Sequence, residues 1–356
     1  MHEVRLKSAE RVMAAQEADA LLVVGLTNIR YLSGFTGSDG VLLLMTGGGR
    51  TLLCDSRYTL QAGDEARRCA VAEYKVKADG IASLLAAAGC RRVAFDAEKV
   101  SVAFFNTLAA ALPAVEFVPL ADELDQLRTV KSAAEIAAVE TAAALASEAF
   151  RTVLPLVKPG ISERSLAFEL EMQMRKTGAD DKAFEFIVAS GERGALPHGR
   201  PTDRRLRSGE LVTFDFGACC AGYNSDETVT VAVGKPDRKL LEIYRVVKEA
   251  HDLAVDAVRP GVDCSGLDAI ARRHIESCGF GDCFGHGLGH GVGLEVHEKP
   301  VVSSRSRQQL QAGMIITIEP GIYIPGFGGV RIEDLLAVTA DGCRVLSRID
   351  KELTHC

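Results

Sequence analysis

The 356-residue sequence predicts two domains, an α/β layer at the front and a longer domain made of two related halves. Three observations carry this. The length exceeds what one small core usually serves. Strand-like and helix-like stretches alternate through the first third. Beyond it, short motifs recur in the same order about a hundred residues later, the mark of a duplication.

In the front part, branched apolar runs at Ala20–Val24, Val41–Met45, Thr51–Cys54, Arg92–Phe95 and Val115–Pro119 read as strands. Three glycines between Thr46 and Arg50 supply the positive φ of a hairpin turn. Ser8–Ala18 and Gly80–Ala88 have helical spacing. The α/β layer therefore covers about residues 1–122. A polar stretch, Ala121–Val130, then leads to Ser132, followed three residues on by Glu135, which is the form of a capping box. An alanine-rich helix with Ile136, Val139, Ala143 and Phe150 at helical spacing runs on to about Thr152. We place the domain boundary just before it, giving domains 1–125 and 126–356.

The second domain repeats itself. Val157–Ile161 is echoed by Val258–Val262, an offset of 101, and the amphipathic helix after each ends at a glycine, Gly178 and Gly279. His198–Pro201 matches His297–Pro300 at an offset of 99. Ser208–Gly217 parallels Ala312–Gly321, which sets Asp215 against Glu319; further on, Asp226 stands against Glu333. Five pairings in one order are not easily chance.

Composition narrows the function. Forty-one Lys and Arg against 48 Asp and Glu leave a net charge of −7, which argues against a protein built around nucleic-acid phosphates. No apolar run is long enough to span a bilayer, and the N-terminal stretch has no apolar core of a signal peptide. The ten cysteines form no CxxC pair and sit inside apolar or helical patterns. They read as reduced small hydrophobes, and the expected location is the cytoplasm.

The chemistry lies in the second domain. Each half carries two carboxylates on strand-like segments, Asp215 and Asp226 on Val212–Phe216 and around Thr228–Val233, then Glu319 and Glu333 on Ile315–Glu319 and Val330–Val338. Any one of them alone is ordinarily a solvated strand-end acid. Two hairpins related by pseudo-symmetry would gather all four, and buried anions repel unless cations sit among them. Oxygen-rich ligation suits hard divalent metals such as Mn²⁺. Of the eight histidines, His286, His290 and His297 fall in one glycine-spaced stretch. Its glycines also resemble a nucleotide loop, but no helix pattern follows them, and there is no HExxH zinc motif. The pattern predicts a two-metal carboxylate site with one histidine ligand.

At this point the sequence resembles a known family. Asp215, Asp226, His290, Glu319 and Glu333, with their flanking residues, look like the five ligands of the dinuclear pita-bread metallopeptidases. Ala195–Gly199 and Gly285–His290 resemble the proline-directed branch, aminopeptidase P and prolidase, as do Asn28–Gly40 and Leu127–Ser132 in front. One departure is Val229, where many relatives have arginine between two threonines. The resemblance implies a creatinase-like α/β domain followed by an α+β pita-bread domain with an internal pseudo-two-fold repeat. It implies two divalent ions, Mn²⁺ expected, with Co²⁺ or Zn²⁺ as substitutes.

The roles it implies are specific. Asp226 would chelate one metal, His290 and Glu319 the other, with Asp215 and Glu333 bridging. Water activated between the metals would attack the carbonyl before proline, and Glu319 would shuttle its proton. His198 and His297 would stabilise the oxyanion and help the proline nitrogen leave. His286 would line the substrate pocket, and Arg331 would either orient Glu333 or meet a substrate carboxylate. Substrates would be peptides or dipeptides with proline second, aminopeptidase P activity being favoured over prolidase. A homodimer is expected, with neither nucleic acid nor membrane as partner. A methionine aminopeptidase fits the front domain poorly. A creatinase-like amidinohydrolase, or a non-catalytic peptide-binding relative, fits the full ligand set poorly.

Overall fold

In the computed structural model, which describes residues 2–356, the chain divides into two units after Arg128. The first contains α1 (His2–Ala15), β1 (Ala20–Val23), α2 (Leu26–Ser33), β2 (Val41–Met45), β3 (Arg50–Cys54), α3 (Thr59–Glu65) and β4 (Ala70–Glu73). It continues with α4 (Lys77–Ala87), β5 (Arg92–Asp96), α5 (Val102–Ala111), β6 (Glu116–Leu120) and α6 (Glu123–Gln126). The strands form one mixed sheet, ordered β4-β3-β2-β1-β5-β6. Central β1 and β2 are almost wholly apolar because side chains are covered on both faces, whereas edge strand β4 has no fully buried residue.

The five strands read from sequence fall within a residue or so of these, and the three-glycine turn joins β2 to β3, with Gly47 and Gly48 at φ +83° and +88°. The first helix differs. It starts at His2 and ends at Ala15, because Glu17 turns left-handed at φ +51° and its polar first turns still bury Leu6 and Ala9. Strand β4 and helices α2, α3 and α5 had no clear sequence signature.

The second unit opens with α7 (Ala133–Val153), whose Ser132–Glu135 capping box is fully formed. Then come α8 (Glu163–Lys176), β7 (Asp181–Lys182), β8 (Ile187–Ser190), β9 (Glu210–Phe216), β10 (Ala218–Cys220), β11 (Tyr223–Asn224) and β12 (Glu227–Val233). The second half runs α9 (Arg238–Ala257), α10 (Cys264–Ser277), β13 (Gly289–Gly291), β14 (Glu298–Val302), β15 (Ile315–Ile318), β16 (Gly321–Ile324), β17 (Gly328–Arg331), β18 (Asp334–Val338) and β19 (Cys343–Val345). The halves match: a helix pair, then two antiparallel strands (β9 with β12, β15 with β18) whose connection splays off as a hairpin of its own, β10–β11 or β16–β17.

Each half has its own core. Phe150 of α7 stacks on Phe216 of β9 at 5.1 Å between ring centroids and meets Phe214 edge-on at 5.3 Å. Ile243, Val247 and Ile275 of α9 and α10 pack with Ile316, Ile318 and Leu336. The expected single strand Val330–Val338 is broken. It leaves β17 at Arg331 and enters β18 at Asp334, and in between the Glu333 amide donates to the Thr228 carbonyl of the other half at 3.1 Å. That crossing is what a strand bound to both halves requires. Among the described residues no disulfide is formed, and no helix is long and apolar enough to cross a membrane.

Candidate metal centre

The paired strands decide where the acids stand. Asp215 near the end of β9 pairs with Thr228 of β12, and side-chain alternation puts Asp226, two residues earlier, on that same face. In the other half, Ile318 pairs with Asp334, so Glu319 and Glu333 are the next positions out on β15 and β18. His290 is the middle residue of β13, which lies beside β15. Its neighbours must be glycine: a Cβ on Gly289 would fall 2.0 Å from the Thr317 carbonyl oxygen, and one on Gly291 2.2 Å from that of Lys299.

Asp226, His290 and Glu333 each offer a ligand atom, and these atoms lie within 4.8 Å of one another. His290 Nε2 is 3.6 Å from Asp226 Oδ2 and 3.5 Å from Glu319 Oε1, so Glu319 adjoins the group. The Thr228 hydroxyl donates to Glu333 Oε2 at 2.6 Å, and Arg331 Nη2 donates to Asp215 Oδ2 at 2.6 Å. Two other oxygens, Oδ1 of Asp215 and Oδ1 of Asp226, are buried with no hydrogen-bond partner among the described residues. His290 Nδ1 lies 3.0 Å from the Gly291 carbonyl, which needs an N–H there and leaves Nε2 a bare lone pair aimed at the acids.

Electrostatics agrees with the geometry. Burial, and then the neighbouring Glu333, Asp215 and Glu319, push the Asp226 carboxyl well above its ordinary range. Glu333 rises likewise, through burial and then Glu319 and Asp215. Glu319 is pushed up to about 8 by burial, with Asp215 adding and Arg331 opposing. His290 is lowered to about 4, chiefly by burial and next by His297, so its imidazole is neutral at pH 7. Buried acids lacking hydrogen-bond donors are costly unless cations meet them. Two orphaned carboxylate oxygens, clustered acids and one neutral imidazole are a donor set that fits hard divalent ions.

The other residues singled out from sequence surround this group. His198 and His297 are exposed, and the His297 ring centroid lies 4.2 Å from that of His290. His286 has both nitrogens engaged, Nδ1 with the Gly287 carbonyl at 2.8 Å and Nε2 with the Tyr323 hydroxyl at 2.9 Å, so it has only its ring face to offer a ligand. Arg331 is buried, and its donors go to Asp215, Thr228, Tyr323 and the Pro197 carbonyl. It reaches Glu333 only through the Thr228 hydroxyl and has little left for a substrate carboxylate.

Val229 points away from the acids into the core beside Phe150 and Phe214, so replacing arginine there leaves the carboxylate face untouched. Two participants went unnoticed in the sequence. Tyr323 joins His286 to Arg331, and no spacing marks it. Thr228 holds Glu333, and its signal was available, since it stands two residues after Asp226 on a strand.

Comparison with known proteins shows the family of the chain. Residues 137–340 match metallopeptidase family M24, and residues 5–130 match the creatinase/prolidase N-terminal domain. An Xaa-Pro dipeptidase from Pyrococcus horikoshii is 38% identical over 98% of this chain and 98% of its own. Among solved structures, an Xaa-Pro dipeptidase from Bacillus anthracis superposes with a TM-score of 0.97 at 37% identity, covering all of both chains. An X-Pro aminopeptidase from Thermotoga maritima superposes at 0.91, with 34% identity over 99% of each chain. The front α/β domain and the duplicated pita-bread domain are thus those expected, and the chain belongs to the M24 metallopeptidases, a dinuclear, metal-dependent enzyme family.

Proposed function

We propose that this metallopeptidase hydrolyses the bond between an N-terminal residue and a following proline, and that Xaa-Pro dipeptides are its main substrates. The observation that carries the exopeptidase reading is the clustering of Asp226, His290 and Glu333 beside Glu319. Clustered acids attract a free amino terminus. The dipeptide preference draws on relatives named as dipeptidases, among them those from Pyrococcus horikoshii and Bacillus anthracis. The Thermotoga maritima protein supports the second reading, removal of the first residue from longer peptides, which the sequence alone favoured.

Asp215, Asp226, His290, Glu319 and Glu333 would hold two divalent ions, Mn²⁺ being the best match to four carboxylates and one imidazole. Such ions, when bound, supply Lewis-acid activation of water and of a peptide carbonyl. The protein's own groups do the rest. Arg331 and Thr228 fix the outer oxygens of Asp215 and Glu333, so these two acids cannot rotate. Glu319 would accept and return the proton of the attacking water. Solvent reaches His297, yet partial desolvation of its ring lowers its pKa and favours the neutral form, and its N–H, with that of His198, would donate to the oxyanion and then to the leaving nitrogen. Peptide nitrogen in proline carries no hydrogen, so an enzyme for this bond must bind the ring and the free amine rather than a backbone donor.

The test is hydrolysis by apo protein reloaded with Mn²⁺, offered a dipeptide and a tripeptide with proline second, beside proline-free controls. Faster cleavage of the dipeptide is the expected result. Faster cleavage of the tripeptide would favour the aminopeptidase reading, and cleavage of the controls alone would remove proline from the proposal.

A further inference from the structure

Behind the acids that face the candidate metal centre lies a second set that the reading above leaves unused. The two strands carry tandem acids, Asp226-Glu227 on entry to β12 and Glu333-Asp334 on entry to β18. Neighbouring strand positions point to opposite sides, so when Asp226 and Glu333 face inward, Glu227 and Asp334 face away. Both outer acids are buried, at 2% and 7% exposure.

One cation meets both. The Lys351 ammonium, itself buried, donates to Glu227 Oε1 at 2.6 Å and lies 3.4 Å from Asp334 Oδ1. Two hydrogen bonds and a nearby imidazole close the set. The Ser147 hydroxyl donates to Glu227 Oε2 at 2.9 Å, the Ile349 amide donates to Glu227 Oε1 at 3.3 Å, and His251 Nε2 lies 3.2 Å from Asp334 Oδ2. The segment bearing Lys351 is itself fixed to both halves. The Leu346 amide donates to the Leu335 carbonyl on β18, the Lys351 carbonyl accepts from the Tyr244 hydroxyl of α9, and the Thr354 carbonyl accepts from the Ala232 amide of β12.

We propose that Lys351, given the ligand set argued above, is a positioning residue for the metals: by bridging Glu227 and Asp334 it sets the spacing of the two strands whose preceding residues bind them. A buried lysine between two acids is not needed for packing alone, since apolar replacements of such triads are often as stable. Here the triad ties together β12 and β18, one strand from each half, which must hold Asp226 and Glu333 in register. The direct link between those strands on the metal side, Glu333 amide to Thr228 carbonyl, leaves their separation one residue further out to Lys351.

The experiment is calorimetric titration of the metal-free full chain with Mn²⁺, together with thermal unfolding of the same metal-free protein. Lys351→Met should weaken Mn²⁺ binding about 10- to 100-fold, the usual range when a group behind a metal ligand is lost. Lys248→Met, which removes a lysine paired on the outside of α9, should bind as wild type. A purely stabilising lysine would lower the unfolding midpoint and leave the Kd unchanged, and that result would overturn the proposal. Should Lys351→Met not fold, the neutral set Glu227→Gln, Asp334→Asn, Lys351→Met removes the stranded charges. Weak Mn²⁺ binding by it supports the bridge, and wild-type binding overturns it. Wild-type protein that takes up no Mn²⁺ would overturn the ligand set and the bridge together.

Discussion

Asp226 has one oxygen 3.6 Å from His290 and the other buried without a donor, so a cation is the partner its surroundings lack. Asn at this position keeps the shape and removes the charge. Asp226→Asn should fold, bind at most one metal per chain and lose turnover, as metal analysis and an assay on the same sample would reveal; full activity with two metals retained would remove Asp226 from the ligand set. His297 predicts the opposite split. Its ring lies against His290 yet outside the group of ligand atoms. His297→Ala should keep both metals while kcat falls about 10²- to 10³-fold, the usual cost of one oxyanion donor. An unchanged kcat would mean its N–H never meets the transition state.

At the scale of elements, β13 shows what a strand gives up to carry a ligand. It lies between β14 and β15 so closely that Gly289 and Gly291 have no space for a side chain. Gly289→Ala must push the strand away from Thr317, whose hydroxyl accepts from the His290 amide at 3.1 Å. We expect a cost of about 1–3 kcal/mol, as for other overpacked sites, read as a lower unfolding midpoint together with weaker Mn²⁺ binding. Gly285→Ala, at a position with open space around it, should change neither. If Gly289→Ala matched wild type in both, the close approach would not be what places His290. These glycines were legible in the sequence as a reason to doubt a helix, and the repeat made both hairpins legible through Asp215, Asp226, Glu319 and Glu333. The breaks inside those hairpins were not. Splaying β16–β17 off β15 and β18 depends on contacts with the other half, and no local pattern records such contacts. Tyr323 stayed hidden for the same reason: its partners His286 and Arg331 converge only once the hairpin has turned.

At the scale of the whole chain, metal, proton and fold are one linked equilibrium. Without cations, Asp226, Glu319 and Glu333 hold protons in the folded state at pH values where the unfolded chain has released them. An acid whose folded pKa is raised stabilises the folded state at low pH, and that contribution is lost as pH climbs from the unfolded value of about 4 through about 8 for Glu319. Divalent ions take the place of those protons and relieve the repulsion. The midpoint of the metal-free protein should therefore fall between about pH 5 and pH 8, while that of the Mn²⁺-loaded protein falls less, so the gap between them widens with pH. Metal at a hundred times its Kd contributes about 2.7 kcal/mol at any one pH, and it is the change in Kd with pH that opens the gap. Mn²⁺ uptake near pH 7 should release protons, visible as a dependence of the calorimetric heat on the ionisation enthalpy of the buffer. A gap that stays constant across this range, with no buffer dependence, would mean the clustered acids are already ionised and held apart by something other than the cations inferred here.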